Sequence, residues 1–162
     1  MSTDAERKER EIWNAQFERV FQAAHRLTKE RGKCQRIHGH NFHVEVDVWT
    51  DALTPEGFVV NFYHVKEFID SFDHRLILED GDPLIAVLDQ EFPEDWVVTT
   101  PVSPSTENFA KIIAEGLLRT VFEHNKEAEY VGIYVKLRET DSISSGSEVG
   151  CSRGELETVL SN

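Results

Sequence analysis

At 162 residues, 40% hydrophobic and 29% charged, the chain can bury one sizeable core but not two, so residues 1–162 are read as a single domain. A formal charge of −13 excludes nucleic acid and anionic membranes as partners, since both select basic patches. The charged start MSTDAERKEREIW has no apolar signal core and no long apolar run follows, which sets the expectation of a cytoplasmic protein whose Cys34 and Cys151 are free thiols, a bridge between them being the minor alternative.

A strand pair is expected over 13–51. Phe17, Arg19, Phe21, Ala23 and His25 alternate along the first strand, and the connection to the second is short enough for hairpin-like neighbours. In CQRIHGHNFHVEVDVW, Cys34 to Trp49, side chains change face at every residue. His38 and His40 therefore share the face of Phe42, Val44, Val46 and Val48, while Asn41, His43, Glu45 and Asp47 take the other. An unpaired buried ring nitrogen costs roughly 1–3 kcal/mol, so each imidazole needs a hydrogen-bond partner or a metal. The H-x-H pair alone does not decide between them. With His25 as a third, the set matches a catalytic zinc site, which keeps one position open where a structural site has four protein ligands.

Asn61 is a favourable N-cap, and Phe62, Val65, Ile69 and Phe72 follow at helical spacing, predicting an amphipathic helix over 61–73. It ends at Asp73-His74, which reads either as a cap beside a surface histidine or as a catalytic dyad. Residues 79–104, rich in Asp, Gly and Pro, predict a long loop with one short helix at Pro83–Asp89. A second helix is expected over 105–123, capped by Ser105 or Thr106, with Glu107 in its positive first turn and Phe109, Ile112, Ile113, Leu117 and Val121 as its buried stripe. In the C-terminal strands, 129–156, Val131, Ile133, Val135 and Leu137 mark a core face whose parity continues to Glu139. That carboxylate is either a frayed strand end in water or a recognition group for a planar two-donor edge.

Seven segments in order resemble the pyruvoyl-tetrahydropterin synthase superfamily: FQAAHRL (Phe21 to Leu27), KCQRIHGHNF (Lys33 to Phe42), GFVVNFYHVK (Gly57 to Lys66), FDHRL (Phe72 to Leu76), PSTENFA (Pro104 to Ala110), LRET (Leu137 to Thr140) and GCSRGE (Gly150 to Glu155). The short spacing from Cys34 to the HGH triplet and the GC-x-RGE ending are similar to the bacterial branch, the 6-carboxy-5,6,7,8-tetrahydropterin synthases of queuosine biosynthesis. Two departures stand out: Asn61 where aspartate is common, and Ser105 where threonine is usual.

The resemblance implies an α+β tunnelling fold, a four-stranded antiparallel sheet with two helices on one face. It also implies assembly into a barrel, as a homohexamer that is a dimer of trimers. It implies Zn2+ held by His25, His38 and His40. Cys34 and the Asp73–His74 pair match the family's catalytic groups, with Cys34 as a fourth metal ligand the competing reading. Glu139 matches the pterin anchor, and Ser105, Thr106 and Glu107 become candidate substrate contacts, Glu107 alternatively serving the helix dipole. His43, His64 and His124 match no ligand position and are read as polar-face or surface residues. The 79–104 segment is longer than its counterpart in the shorter bacterial enzymes and is expected to be a lid or an oligomer contact.

The implied reaction is zinc-dependent cleavage of 7,8-dihydroneopterin triphosphate to 6-carboxytetrahydropterin, acetaldehyde and triphosphate. The alternatives are the animal-type triphosphate elimination to 6-pyruvoyl-tetrahydropterin and a silent pterin-binding homologue. A zinc hydrolase would need a carboxylate beside the metal water in place of the thiol. A triphosphate substrate on so acidic a chain requires local positive charge, and Arg26, Lys33, Arg36, Lys66 and Arg75 form the available pool.

Overall fold

The computed structural model describes residues 11–92 and 94–161. Its first strand, β1 (Trp13–His25), runs antiparallel to β2 (His38–Thr50). The alternation legible in both strands fixes the register: Phe21 lies opposite Phe42, Ala23 opposite His40 and His25 opposite His38. The link between them closes with Leu27 N–H donating at 2.8 Å to the carbonyl of Cys34, which lies within a single helical turn over Lys33–Gln35.

Asn61 caps α1 (Phe62–Asp70) as expected, its Oδ1 accepting from Tyr63 N–H at 3.0 Å. Beyond it the sheet departs from expectation. The strand β3 (Arg75–Glu79) pairs in parallel with β1, with Arg75 opposite Ala23 and Ile77 opposite His25. The strand β4 (Val97–Thr100) pairs in parallel with β3. Between these two strands stands α2 (Pro83–Glu91), the short helix expected there, capped by Asp82 with Pro83 in the first turn. The chain is completed by α3 (Thr106–His124), the antiparallel pair β5 (Tyr130–Thr140) and β6 (Ile143–Ser152), and the short α4 (Leu156–Leu160).

The result is an α+β fold whose sheet has six strands in the order β4-β3-β1-β2-β5-β6 and is mixed, in place of the four-stranded antiparallel sheet the resemblance implied. The physical reason is length. RLILE and VVTT are too short, and show no apolar–polar alternation, for periodicity to identify them, and the helix between them supplies the crossover that parallel pairing requires. The 79–104 segment is therefore in large part ordered secondary structure and not an open loop.

The core lies between the sheet and the helices α1 and α3. Val44, Val46 and Val48 of β2 and Val131, Ile133, Val135 and Leu137 of β5 meet Phe109, Ile113, Leu117 and Val121 of α3, with Val65 and Ile69 of α1 beside them. Each such fully buried side chain contributes roughly 1.5–3 kcal/mol before entropy is counted. Two polar side chains tie the far end. Asn125 donates to Ala52 O and Val59 O at 2.9 Å and accepts from Glu127 and Ala128 N–H. Arg153, of the GCSRGE segment, donates to Phe122, Asn125 and Ala128 carbonyls and so closes the C-terminus of α3. No helix among the described residues is long and apolar enough to cross a membrane.

Candidate metal centre and catalytic groups

At the opposite end, where α3 begins, the core face of the sheet turns polar. The hairpin register brings the three imidazoles together, with ring centroids 4.5 Å apart for His25–His38, 5.2 Å for His25–His40 and 5.0 Å for His38–His40. One ligand atom from each and one from Glu139 all lie within 4.8 Å of one another. Glu139 reaches them because it continues the face of Val131, Ile133, Val135 and Leu137 along β5, where the strand shifts register against β6 between Arg138 and Thr140.

Two backbone carbonyls orient the rings. His25 Nδ1 lies 2.8 Å from Pro104 O and His38 Nδ1 lies 2.8 Å from Arg36 O. A carbonyl can only accept, so both Nδ1 atoms carry the proton and both Nε2 lone pairs are left free. His25 is 1% exposed, and its Nε2 and that of His40 are buried without a hydrogen-bond partner among the described residues. His40 Nε2 does approach Glu139 Oε1 at 2.9 Å, but without the direction of a hydrogen bond. Burial pushes the His25 pKa down, more strongly than the Pro104 carbonyl raises it. Burial likewise lowers that of His40, against the pull of Glu139. Three converging imidazoles, two of them with buried Nε2 atoms that lack a partner among the described residues, are what a transition-metal ion requires, and the donor set fits one.

Glu139 Oε2 accepts the hydroxyl of buried Thr106, in the first turn of α3. On the other side of β1, Asp73 and His74 form the paired arrangement: Asp73 Oδ2 lies 2.9 Å from His74 Nδ1, and Asp73 Oδ1 accepts Gln22 N–H at 2.8 Å. His74 sits at φ 57° while its own N–H donates to Gln22 O at 2.6 Å, a left-handed conformation that a non-glycine residue keeps only under restraint. Burial alone would raise the Asp73 carboxyl, but the Gln22 amide and the His74 ring together outweigh it and hold its pKa low. A cavity of about 880 Å³ is lined by His40, Glu139, His74, Arg75, Asn41 and Trp96, among others.

A sequence model of the 6-pyruvoyl tetrahydropterin synthase family matches residues 15–145. The chain belongs to that family. It is 35% identical over 125 residues to a probable 6-carboxy-5,6,7,8-tetrahydropterin synthase of Halobacterium salinarum, covering 76% of this chain and 79% of the relative. It is 29% identical over 142 residues to the 6-carboxy-5,6,7,8-tetrahydropterin synthase of Aquifex aeolicus, covering 74% and 88%. Among solved structures, 6-pyruvoyl tetrahydropterin synthase from Plasmodium vivax aligns with a TM-score of 0.60 at 21% identity over 88% of this chain and 99% of that one, a likeness of fold.

Within this family member the residues singled out from sequence divide. His25, His38, His40, Glu139 and Thr106 converge. Asp73 and His74 pair with each other. Cys34, a half-buried free thiol in the turn before β2, is not among the side chains gathered at the imidazoles; the fourth group there is Glu139. Ser105 accepts Asn108 N–H as the cap of α3, and Glu107 is held ionised first by its own backbone N–H and then by Ser105, so both serve the helix start. His64 and His124 stack with centroids 3.5 Å apart, away from the site. His43, read as a polar-face residue, lines the cavity. Sequence reasoning missed the orienting carbonyls of Arg36 and Pro104, which carry no side-chain signal, and Trp96, which stacks on Phe92 at 4.5 Å.

Proposed function

We propose that this protein is a zinc-dependent 6-carboxy-5,6,7,8-tetrahydropterin synthase, which converts 7,8-dihydroneopterin triphosphate and one water to 6-carboxy-5,6,7,8-tetrahydropterin, acetaldehyde and triphosphate, a step of deazapurine (queuosine) biosynthesis. The observation that carries the reading is the group His25, His38, His40 and Glu139, with its free Nε2 atoms, in a chain whose curated relatives bear that name.

The three imidazoles would hold the zinc. Once bound there, it would acidify the hydroxyls of the substrate side chain and stabilise developing oxyanion charge. Glu139, oriented by Thr106, is suited to accept the ring N–H and exocyclic amine of the pterin side by side. Asp73, held as a carboxylate, fixes the proton of His74 on Nδ1 and leaves Nε2 to take or return a proton. The Cys34 thiol is the second proton carrier in this reading, and its separation from the imidazole group supports that role over ligation. We further propose that the chain assembles as a homohexamer, since β4 and β6 leave both sheet edges open.

Incubation of the zinc-loaded protein with 7,8-dihydroneopterin triphosphate, followed by mass spectrometry, tests the reaction. 6-Carboxytetrahydropterin together with acetaldehyde is the expected outcome. The pyruvoyl product without acetaldehyde would assign the animal-type elimination, and no turnover with pterin still bound would make the chain a silent homologue.

A further inference from the structure

We infer that Arg75 binds the polyphosphate tail of the substrate and fixes the direction in which it lies in the cavity, an inference that rests on the proposed function for the identity of the ligand. The chain carries −13 formal charges, so a polyphosphate cannot be drawn in by the overall field and needs a specific cation. The basic residues near the motifs are mostly spoken for. Arg26 is engaged through Nε and Nη2 by the carboxylate of Asp82, itself buried. Lys66 is engaged at 2.7 Å by Asp70, which also takes Arg19. Lys33 and Arg36 are exposed and do not line the cavity.

Arg75 differs from all four. Among the described residues it is the only lysine or arginine lining the cavity, and it has no ion pair there. Register gives its place: Arg75 lies opposite Ala23, and Ala23 lies opposite His40. Arg75 and His40 are thus two strand spacings apart, about 10 Å between backbones, with only an alanine between them. A diol at the imidazole group has its first phosphate within a few bonds, so that gap suits a phosphate chain running towards Arg75. At the other side of His40 the cavity is lined by Glu139 and Asp141, which repel phosphate. Donors of the pterin edge meet carboxylate at one end and phosphate oxygens meet guanidinium at the other, so only one orientation is favoured. Guanidinium suits the task because its planar fork donates two hydrogen bonds to one phosphate.

The test uses inorganic tripolyphosphate as probe, titrated calorimetrically into metal-loaded protein with metal content checked afterwards, alongside substrate kinetics. Arg75→Gln should weaken tripolyphosphate binding about tenfold or more, Arg75→Lys should retain the larger part, and Lys33→Gln should leave it unchanged. In turnover, Arg75→Gln should raise KM with kcat little altered. Tripolyphosphate affinity equal to the unsubstituted protein in Arg75→Gln, or an equal loss in Lys33→Gln, would overturn the inference, and unchanged KM would do so while leaving the proposed reaction standing. Arg75-dependent binding in a protein that does not convert 7,8-dihydroneopterin triphosphate would uphold the anion site and sink the proposed reaction instead.

Discussion

The imidazole group and the Asp73–His74 pair lie on either side of β1 and differ in how the fold holds them. His25 is 1% exposed and locked by a carbonyl on its outer nitrogen, while its inner nitrogen has no partner among the described residues. The His74 side chain is 75% exposed, and the hydrogen bonds at its base run to Asp73 and Gln22. One region is preorganised to receive a ligand. The other is a satisfied pair on a restrained backbone, open to whatever approaches. A binding site must hold its geometry before the ligand arrives, whereas a proton carrier needs a defined tautomer and access.

Removing one imidazole should give the largest effect. His40→Ala is expected to lose most bound metal, read by elemental analysis, and to lower turnover at least a thousandfold. Cys34→Ala should lose turnover comparably while keeping its metal; metal lost along with the thiol would make Cys34 a ligand and collapse the distinction between binder and proton carrier. Asp73→Asn keeps the shape of the pair but not its charge or its preferred tautomer, so a fall in kcat of roughly 10²–10⁴-fold with metal content unchanged is expected. A smaller effect is expected at Thr106→Val, which leaves Glu139 one hydrogen bond short: KM for the pterin substrate should rise several-fold with little change in kcat.

The same two regions show what sequence can carry. The β1–β2 hairpin was legible because its alternation runs unbroken for the length of both strands, and the register that alternation fixes is what gathers His25, His38 and His40. Asn61, the helix at Pro83 and the start of α3 were legible from caps. The strands β3 and β4 were not, because Arg75–Glu79 and Val97–Thr100 are stabilised by neighbours distant in sequence and carry no period of their own. Glu139 was visible by parity, but its place beside the imidazoles rests on the pairing of β5 with β2, and its orientation on Thr106 from another element. The pairing of Asp73 with the Gln22 amide depends on parallel pairing that single-sequence pattern does not announce.

Acid titration separates the two regions by where stability is lost. In metal-free protein the folded-state pKa of His25 lies below its unfolded value of about 6.5, and those of His40 and His124 lie below theirs, all chiefly through burial. The unfolded chain then binds more protons, so this part of the stability is intact above about pH 6.5 and is lost as pH falls from there towards the folded values. Asp73 is also depressed, but from an unfolded value of about 3.9, so its contribution persists until the solution is far more acidic. Thermal melts of metal-free protein should therefore soften in two stages, and His25→Gln should flatten the upper stage while Asp73→Asn flattens part of the lower. Metal-loaded protein should resist the upper stage, because protons and metal compete for the same Nε2 lone pairs. An upper stage untouched by both metal and His25→Gln would mean that the buried imidazoles are not held neutral by the fold, and the contrast between the two sides of β1 would fail.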